Sequence, residues 1–215
     1  MNDLLINNFA GLLVVTSFMV VIAKQARTAS ILYAIQSLVL VGIFCAIAYQ
    51  YEAHELFAWA ATAVVSKVIL LPAILFIFLG KMRDAAAEKP LMHTALIAIL
   101  VAVISIGAFY AVDPVNVPLV ANLKPALAVS LAHFFIGLLC IVSQRNILKQ
   151  VFGYCLMENG SSLTLALLAH DAPHLMEIGI TIDAIFAVIV MVILARLIYR
   201  QLGTLDVQQL TTLKG

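Results

Sequence analysis

Seven stretches of roughly 20 mostly apolar residues succeed one another along the chain, and that succession constrains the fold more than any motif does. A helix rises about 1.5 Å per residue and the hydrocarbon core of a bilayer is about 30 Å thick, so each stretch has the length of a membrane crossing. The runs cover about residues 4–23, 31–51, 56–79, 91–112, 126–142, 148–169 and 175–198. Short polar turns divide them: Lys24 to Arg27, Glu52 to Glu55, Gly80 to Pro90, Asp113 to Pro125, Ser143 to Asn146 and His170 to Pro173. Turns of this size do not fold by themselves. The 215 residues therefore read as one membrane domain, an all-α polytopic transmembrane helical bundle of about seven helices. The first run begins behind acidic Asp3 and no clear small-x-small cleavage pattern follows it, so it is expected to be a retained helix rather than a signal peptide.

Composition excludes several function classes. Hydrophobic residues make up 64% and charged residues 11% of the chain, against about 45–50% and about 25% in soluble domains. A water-soluble surface cannot be made from this inventory. Twelve Lys and Arg against eleven Asp and Glu leave no basic field for nucleic acid. Cys45, Cys140 and Cys155 lie singly inside apolar runs, with no CxxC or Cys/His cluster to hold zinc or an iron–sulfur centre. No cofactor is expected in this chain.

Lys and Arg sort by turn. Lys24, Arg27, Lys81, Arg83, Lys89, Arg145, Lys149, Arg196, Arg200 and Lys214 flank the ends of the first, third, fifth and seventh runs, whereas Lys124 alone lies on the other side and Lys67 within a run. Positively charged turns stay cytoplasmic, so the N-terminus is expected outside and the C-terminus in the cytoplasm.

An ionisable side chain at the bilayer centre costs about 2.5–3.5 kcal/mol on insertion scales, and such groups are functional candidates by default. Four lie at that depth: Lys67, His133, Glu158 and Asp183. Facing lipid, the set would cost on the order of 10 kcal/mol, so these side chains are expected to face one another, water or a partner subunit. Glu158 is nearly central in its run, with Ser161 and Ser162 three and four residues later on the same helical face. Burial and a nearby cation act on a carboxylate in opposite senses, which suits proton exchange near neutral pH; a structural glutamate bonded to a neighbouring helix is the plainer reading. Asp183 reads equally as a relay group or as interhelical hydrogen-bond glue. Lys67 precedes Pro72, which removes a backbone hydrogen bond and crowds the Val68 carbonyl, loosening the helix beside the lysine. Its reading is relay cation or, with slight preference, the counter-ion of a buried carboxylate. A lone buried histidine such as His133 is more often a satisfied packing residue than a proton carrier. Glu52, Glu55, Asp171 and Glu177 are expected near the outer water interface.

The first three and last three runs share an ordering of basic and acidic turns. This suggests a parallel repeat joined by the fourth run, with Lys67 and Asp183 at corresponding depths and Gln36 approximately opposite Glu158.

The string Gly137-Leu-Leu-Cys-Ile-Val-Ser-Gln-Arg-Asn146 and the helix to Leu163, with its Glu158-Asn159 pair, resemble the small K subunit of bacterial complex I, as does the ending Gly203 to Gly215. In that family an Arg-Asn turn leads into a helix bearing a buried glutamate. Over its whole length, through Leu123 to Val129, Gly137 to Ile147, Phe152 to Ser161 and Asp183 to Met191, the chain is similar to the hydrogenase-4 component E family of formate hydrogenlyase-type complexes. The resemblance divides the membrane domain into an N-terminal four-helix extension (1–112), a K-like three-helix segment (126–200) and a cytoplasmic tail (201–215). The K family's second intramembrane glutamate would fall near Ala187, one turn beyond Asp183.

The resemblance implies a multi-pass subunit of a bacterial inner membrane, non-catalytic by itself, in an oxidoreductase complex. Nickel–iron and iron–sulfur centres would lie on partner hydrogenase and iron–sulfur subunits, with antiporter-like subunits alongside in the bilayer. This chain's share would be a section of the proton-translocation path through Glu158, Asp183, Lys67 and His133, supported by Ser161, Ser162 and Asn159. The alternatives are a purely structural assembly subunit, or the small subunit of a multi-subunit cation/proton antiporter.

Overall fold

The computed structural model describes residues 2–79, 91–115 and 118–210, and among these it is helical with no strand. In chain order the helices are α1 (Asn2–Ile22), α2 (Ala26–Tyr51), α3 (His54–Ala63), α4 (Leu71–Leu79), α5 (Thr94–Val112), α6 (Lys124–Ser143), α7 (Ile147–Leu168), α8 (His174–Leu202) and the short α9 (Val207–Leu210). A π-helical turn, Val64–Leu70, joins α3 to α4 without a break, so the third apolar run is one continuous rod. Six rods are long and apolar enough to cross a membrane: Leu4–Ile22, Ala26–Tyr51, His54–Phe78, Thr94–Val112, Ala121–Ser143 and His174–Leu202. The remaining run, α7, is long enough, at 22 residues, but it is the polar one. Fourteen of those residues are buried, Lys149, Glu158, Asn159 and Ser162 among them. Its ionisable side chains Lys149 and Glu158 are thus spent inside the bundle rather than on its rim.

Local chemistry sets the helix ends. The Asn146 side chain accepts from the Leu148 N–H and caps α7. Gly203, at φ 71°, takes the left-handed conformation that stops α8, its N–H returning to the Tyr199 carbonyl at 2.9 Å. The Arg-Asn turn between α6 and α7 is also tied to the segment after α8. Arg145 bonds both carboxylate oxygens of Asp206 at 3.2 Å, and Asn146 bridges Asp206 through the backbone.

Helices α6 and α7 pack through small residues. A Cβ on Gly137 would lie 2.6 Å from the Gly153 carbonyl, one on Gly153 2.7 Å from the Gly137 carbonyl, and one on Gly160 2.7 Å from the Phe134 nitrogen. Only hydrogen fits at these three positions, as is common where membrane helices approach closely. Around this pair, α1 packs on α6, α2 on α7 and α3 on α8. Each pair runs parallel. Asn7 meets Asn122 and Ser17 meets His133, while Thr62 meets His174 and Lys67 meets Glu177. This pairing of first-half helices with their last-half counterparts is what a parallel repeat around a shared axis would give.

The polar turns gather at two ends. Gln144 donates to the Val21 carbonyl at 2.8 Å and the Leu91 N–H to the Ser143 carbonyl at 3.2 Å, so the turns carrying Lys24, Arg27, Arg145 and Asp206 share one end. Lys81, Arg83, Lys89 and Lys214, also expected there, lie outside the described residues. The apolar interior divides likewise. One cluster, with Leu13, Phe44, Trp59 and Leu163, fills the half around Glu55 and His174. The other, with Val21, Leu75, Phe152 and Val192, fills the basic half. Between them lies a single layer of polar side chains.

Candidate functional site

The layer is built one helical turn at a time. Six of the seven rods contribute buried polar side chains to it: Ser17 in α1, Gln36 and Ser37 in α2, Ser66 and Lys67 in the π-helical turn, Ser130 and His133 in α6, Glu158, Asn159 and Ser162 in α7, and Glu177 with Thr181 in α8. All are buried. The layer has two parts with different chemistry.

The first part is ionic. The Lys67 side chain is 1% exposed; its Nζ lies 2.8 Å from Glu158 Oε1 and 3.5 Å from Glu177 Oε1, and donates to Ser162 Oγ at 2.8 Å. Ser162 Oγ in turn donates to Glu158 Oε1 at 2.9 Å, closing a Lys–Ser–Glu triangle. Thr181 Oγ1 lies 3.4 Å from Glu177 Oε1. Lys67 reaches both acids from the π-helical turn, where the Leu71 N–H bonds the Ser66 carbonyl five residues back. Such turns cluster at functional positions, and here Pro72 supplies the cause, because it cannot donate the regular bond to the Val68 carbonyl.

The second part is neutral. His133 Nδ1 lies 2.7 Å from Ser17 Oγ, and Ser17 donates its own hydrogen to the Leu13 carbonyl at 2.5 Å. Ser17 is therefore an acceptor, Nδ1 carries the ring proton, and Nε2 accepts from Gln36 Nε2 at 3.1 Å. Gln36 Oε1 in turn accepts from Asn159 at 2.9 Å. Every polar atom of the imidazole is satisfied in its uncharged form, and a second ring proton would break the Gln36 bond. The geometry favours the packing reading of His133.

The expected residues thus fall into place unevenly. Lys67, Glu158 and Ser162 meet within the chain, and Asn159 braces the neutral half. Ser161 does not share Glu158's surroundings: it is exposed, bonds the Met157 carbonyl at 3.1 Å, and lines an outward groove of about 440 Å³ with Phe134, Phe135 and Thr164. Three residues is 300° of helical turn, enough to carry its hydroxyl off the glutamate's side. Asp183 is exposed on the outer side of α8 and takes no part in the cluster.

Glu177 stands where sequence reasoning placed only an acid at the outer water interface. It is 0% exposed rather than interfacial. The bond between Thr62 and His174 (2.8 Å) shows why: α8 starts level with Thr62, eight residues into the rod that begins at His54. One signal was available. Glu177, Thr181, Ala184, Val188, Val192 and Ala195 form a single helical stripe, the buried face of α8, and Asp183 falls outside it. The Oε2 atoms of Glu158 and Glu177 are buried and accept no hydrogen bond among the described residues. No three His, Cys, Asp or Glu side chains gather among those residues in a way that would hold a metal ion.

Known proteins place this architecture. The family model for NADH-ubiquinone/plastoquinone oxidoreductase chain 4L matches residues 125–215, the part that holds α6 to α9. Hydrogenase-4 component E of Escherichia coli K12 is 53% identical over 213 residues, covering 99% of each chain, and that of Shigella flexneri shows the same figures. An uncharacterized protein of Mycobacterium tuberculosis is 27% identical over 220 residues, covering 99% of this chain and 97% of its own. No solved structure matches. On identity that extends over both halves of the bundle, the chain belongs to the hydrogenase-4 component E family.

Proposed function

We propose that this chain is a membrane subunit of a complex I-related hydrogenase of the hydrogenase-4 type in the bacterial inner membrane, and that the ionic part of its polar layer forms a section of a proton path. Redox chemistry would belong to partner hydrogenase and iron–sulfur subunits with their nickel–iron and iron–sulfur centres, and antiporter-like subunits would continue the path sideways. The basic turns support an orientation with the N-terminus outside and the C-terminus in the cytoplasm.

The observation that carries the reading is one buried lysine between two buried glutamates. A low-dielectric site disfavours net charge. With Lys67 cationic, the cluster is neutral when one of the two carboxyl groups holds a proton and the other is ionised. The lysine pairs with whichever is ionised. The present distances, 2.8 Å to Glu158 and 3.5 Å to Glu177, set the ammonium nearer Glu158. At an effective dielectric constant near 20, those separations differ by only about 1 kcal/mol in attraction, so a small local charge change reverses the preference. The step then moves one proton from Glu177 to Glu158 while the ammonium shifts the other way.

A line of polar groups supports access to Glu177 from one end. Glu55 accepts from the His174 N–H at 3.0 Å, His174 bonds Thr62, and Glu177 follows one turn along α8. Toward the basic end, Phe152, Leu156, Val188 and Val192 close the interior, which disfavours direct passage across the membrane and favours travel within its plane.

Glu158→Gln tests this in the assembled complex reconstituted into vesicles. Proton translocation is expected to fall at least tenfold while the complex still assembles; a scaffold role predicts that pumping and donor-dependent hydrogen evolution both stay intact. Copurification of hydrogenase and iron–sulfur subunits separates the favoured reading from an antiporter without redox partners.

A further inference from the structure

Asp183 is a carboxylate on the outside of a membrane bundle. The buried stripe of α8 runs through Glu177, Thr181, Ala184 and Val188. Six residues beyond Glu177, a rotation of about 240°, Asp183 emerges on the outer face beside exposed Met176, Phe186 and Val190. It lies about 9 Å along the helix from Glu177. With the Lys67–Glu158–Glu177 layer near the bilayer centre, Asp183 lies inside the hydrocarbon core, whose half-thickness is about 15 Å. A carboxylate facing lipid at that depth is costly, and none of the described residues pairs with it.

Two further features bear on this face, the first shared with Gly107 on α5. Gly179, one turn before Asp183, has nothing within 4 Å of where a Cβ would stand, so another helix backbone can approach there. Helix α5 is also largely exposed, but its outer face of Ile99, Val103, Ile106 and Phe109 is wholly apolar and suits lipid. The rim has one face made for lipid and one that is not.

We infer that the Gly179–Asp183–Phe186 face of α8 is a subunit interface, covered in the complex by a membrane helix of a partner subunit that sets a basic side chain against Asp183. Charge complementarity fixes the partner's chemistry: a lysine or arginine at matching depth neutralises the carboxylate and is neutralised by it. The inference does not depend on whether the layer conducts protons, because the position of a carboxylate in lipid demands a partner either way.

The experiment uses the whole complex in lipid nanodiscs. Spin labels are placed by Phe186→Cys on α8 and Ile99→Cys on α5, and collision with oxygen dissolved in the lipid is measured. The label at position 186 is expected to show less than a third of the oxygen accessibility of the label at 99. Asp183→Lys, which opposes like charges across the interface, is expected to lower recovery of this chain in the complex at least tenfold at equal membrane abundance, whereas Asp183→Asn lowers it less than threefold. Equal oxygen accessibility at the two positions overturns the inference whatever the variants do. So does undiminished recovery of Asp183→Lys. A disulfide between two copies of Phe186→Cys would assign the face to a second copy of this chain and overturn it as well.

Discussion

The two-acid, one-lysine composition of the cluster makes a quantitative prediction about how its members tolerate removal. At an effective dielectric constant near 20, the Lys67 ammonium attracts an ionised Glu158 at 2.8 Å by roughly 6 kcal/mol and an ionised Glu177 at 3.5 Å by roughly 5 kcal/mol. Desolvation of the three groups offsets most of that gain. Either Glu→Gln substitution removes one acid but leaves Lys67 with the other, so each is expected to destabilise the chain by only about 1 kcal/mol, the scale of one hydrogen bond. The double variant Glu158→Gln with Glu177→Gln strands a buried cation, which costs about 3–5 kcal/mol. The two substitutions should therefore couple by about 1–3 kcal/mol beyond additivity. Adding Lys67→Met should recover most of the loss, because an apolar side chain of similar length needs no counter-ion. Cys140 and Cys155, each 1% exposed, report unfolding directly through their reaction with a maleimide as the purified complex is warmed. Additive single and double effects, or a triple variant no more stable than the double, would refute the charge reasoning.

Two other outcomes follow from the packing and from the neutral half of the layer. Gly153→Ala places a methyl group 2.7 Å from the Gly137 carbonyl and 2.6 Å from the Ile141 side chain, and is expected to destabilise the α6–α7 pair by about 1–3 kcal/mol, where Gly107→Ala, facing open space, is near neutral; thermal unfolding followed by cysteine labelling separates them. His133→Leu leaves Gln36 without its acceptor and is expected to cost about 1–3 kcal/mol in the same assay, yet to leave proton translocation per assembled complex unchanged.

Much of the fold is legible in the sequence because a bilayer imposes a length and a polarity on every crossing. The seven apolar runs correspond to seven rods, with ends shifted by a few residues where polar helix turns extend beyond the apolar core: α2 starts at Ala26 and α8 continues to Leu202. The Pro72 argument foresaw a disturbed backbone beside Lys67, and the π-helical turn is that disturbance. Glu158 and Lys67 were both legible as costly groups needing partners, and they partner each other. The second acid was not legible from depth along its own run. Depth in the bundle depends on how far α8 is displaced along α3, and Thr62 meeting His174 is a tertiary fact. Asp183 is nearer the middle of its run than Glu177 but on the wrong side of the helix; rotation, which the Thr181–Ala184–Val188–Val192 stripe encodes, decides between them. The same arithmetic separates Ser162, four residues from Glu158 and bonded to it, from Ser161, three residues away and facing out.

The central claim is that the Lys67-linked carboxyl groups change protonation as the complex turns over. Infrared difference spectroscopy of the assembled complex, triggered between its oxidised and reduced states, reads carboxyl protonation through the C=O stretch and its shift in heavy water. A protonated-carboxyl difference band is predicted, altered in Glu177→Gln and lost in Glu158→Gln. A wild-type spectrum with no such band, or one that survives both substitutions unchanged, would contradict the account.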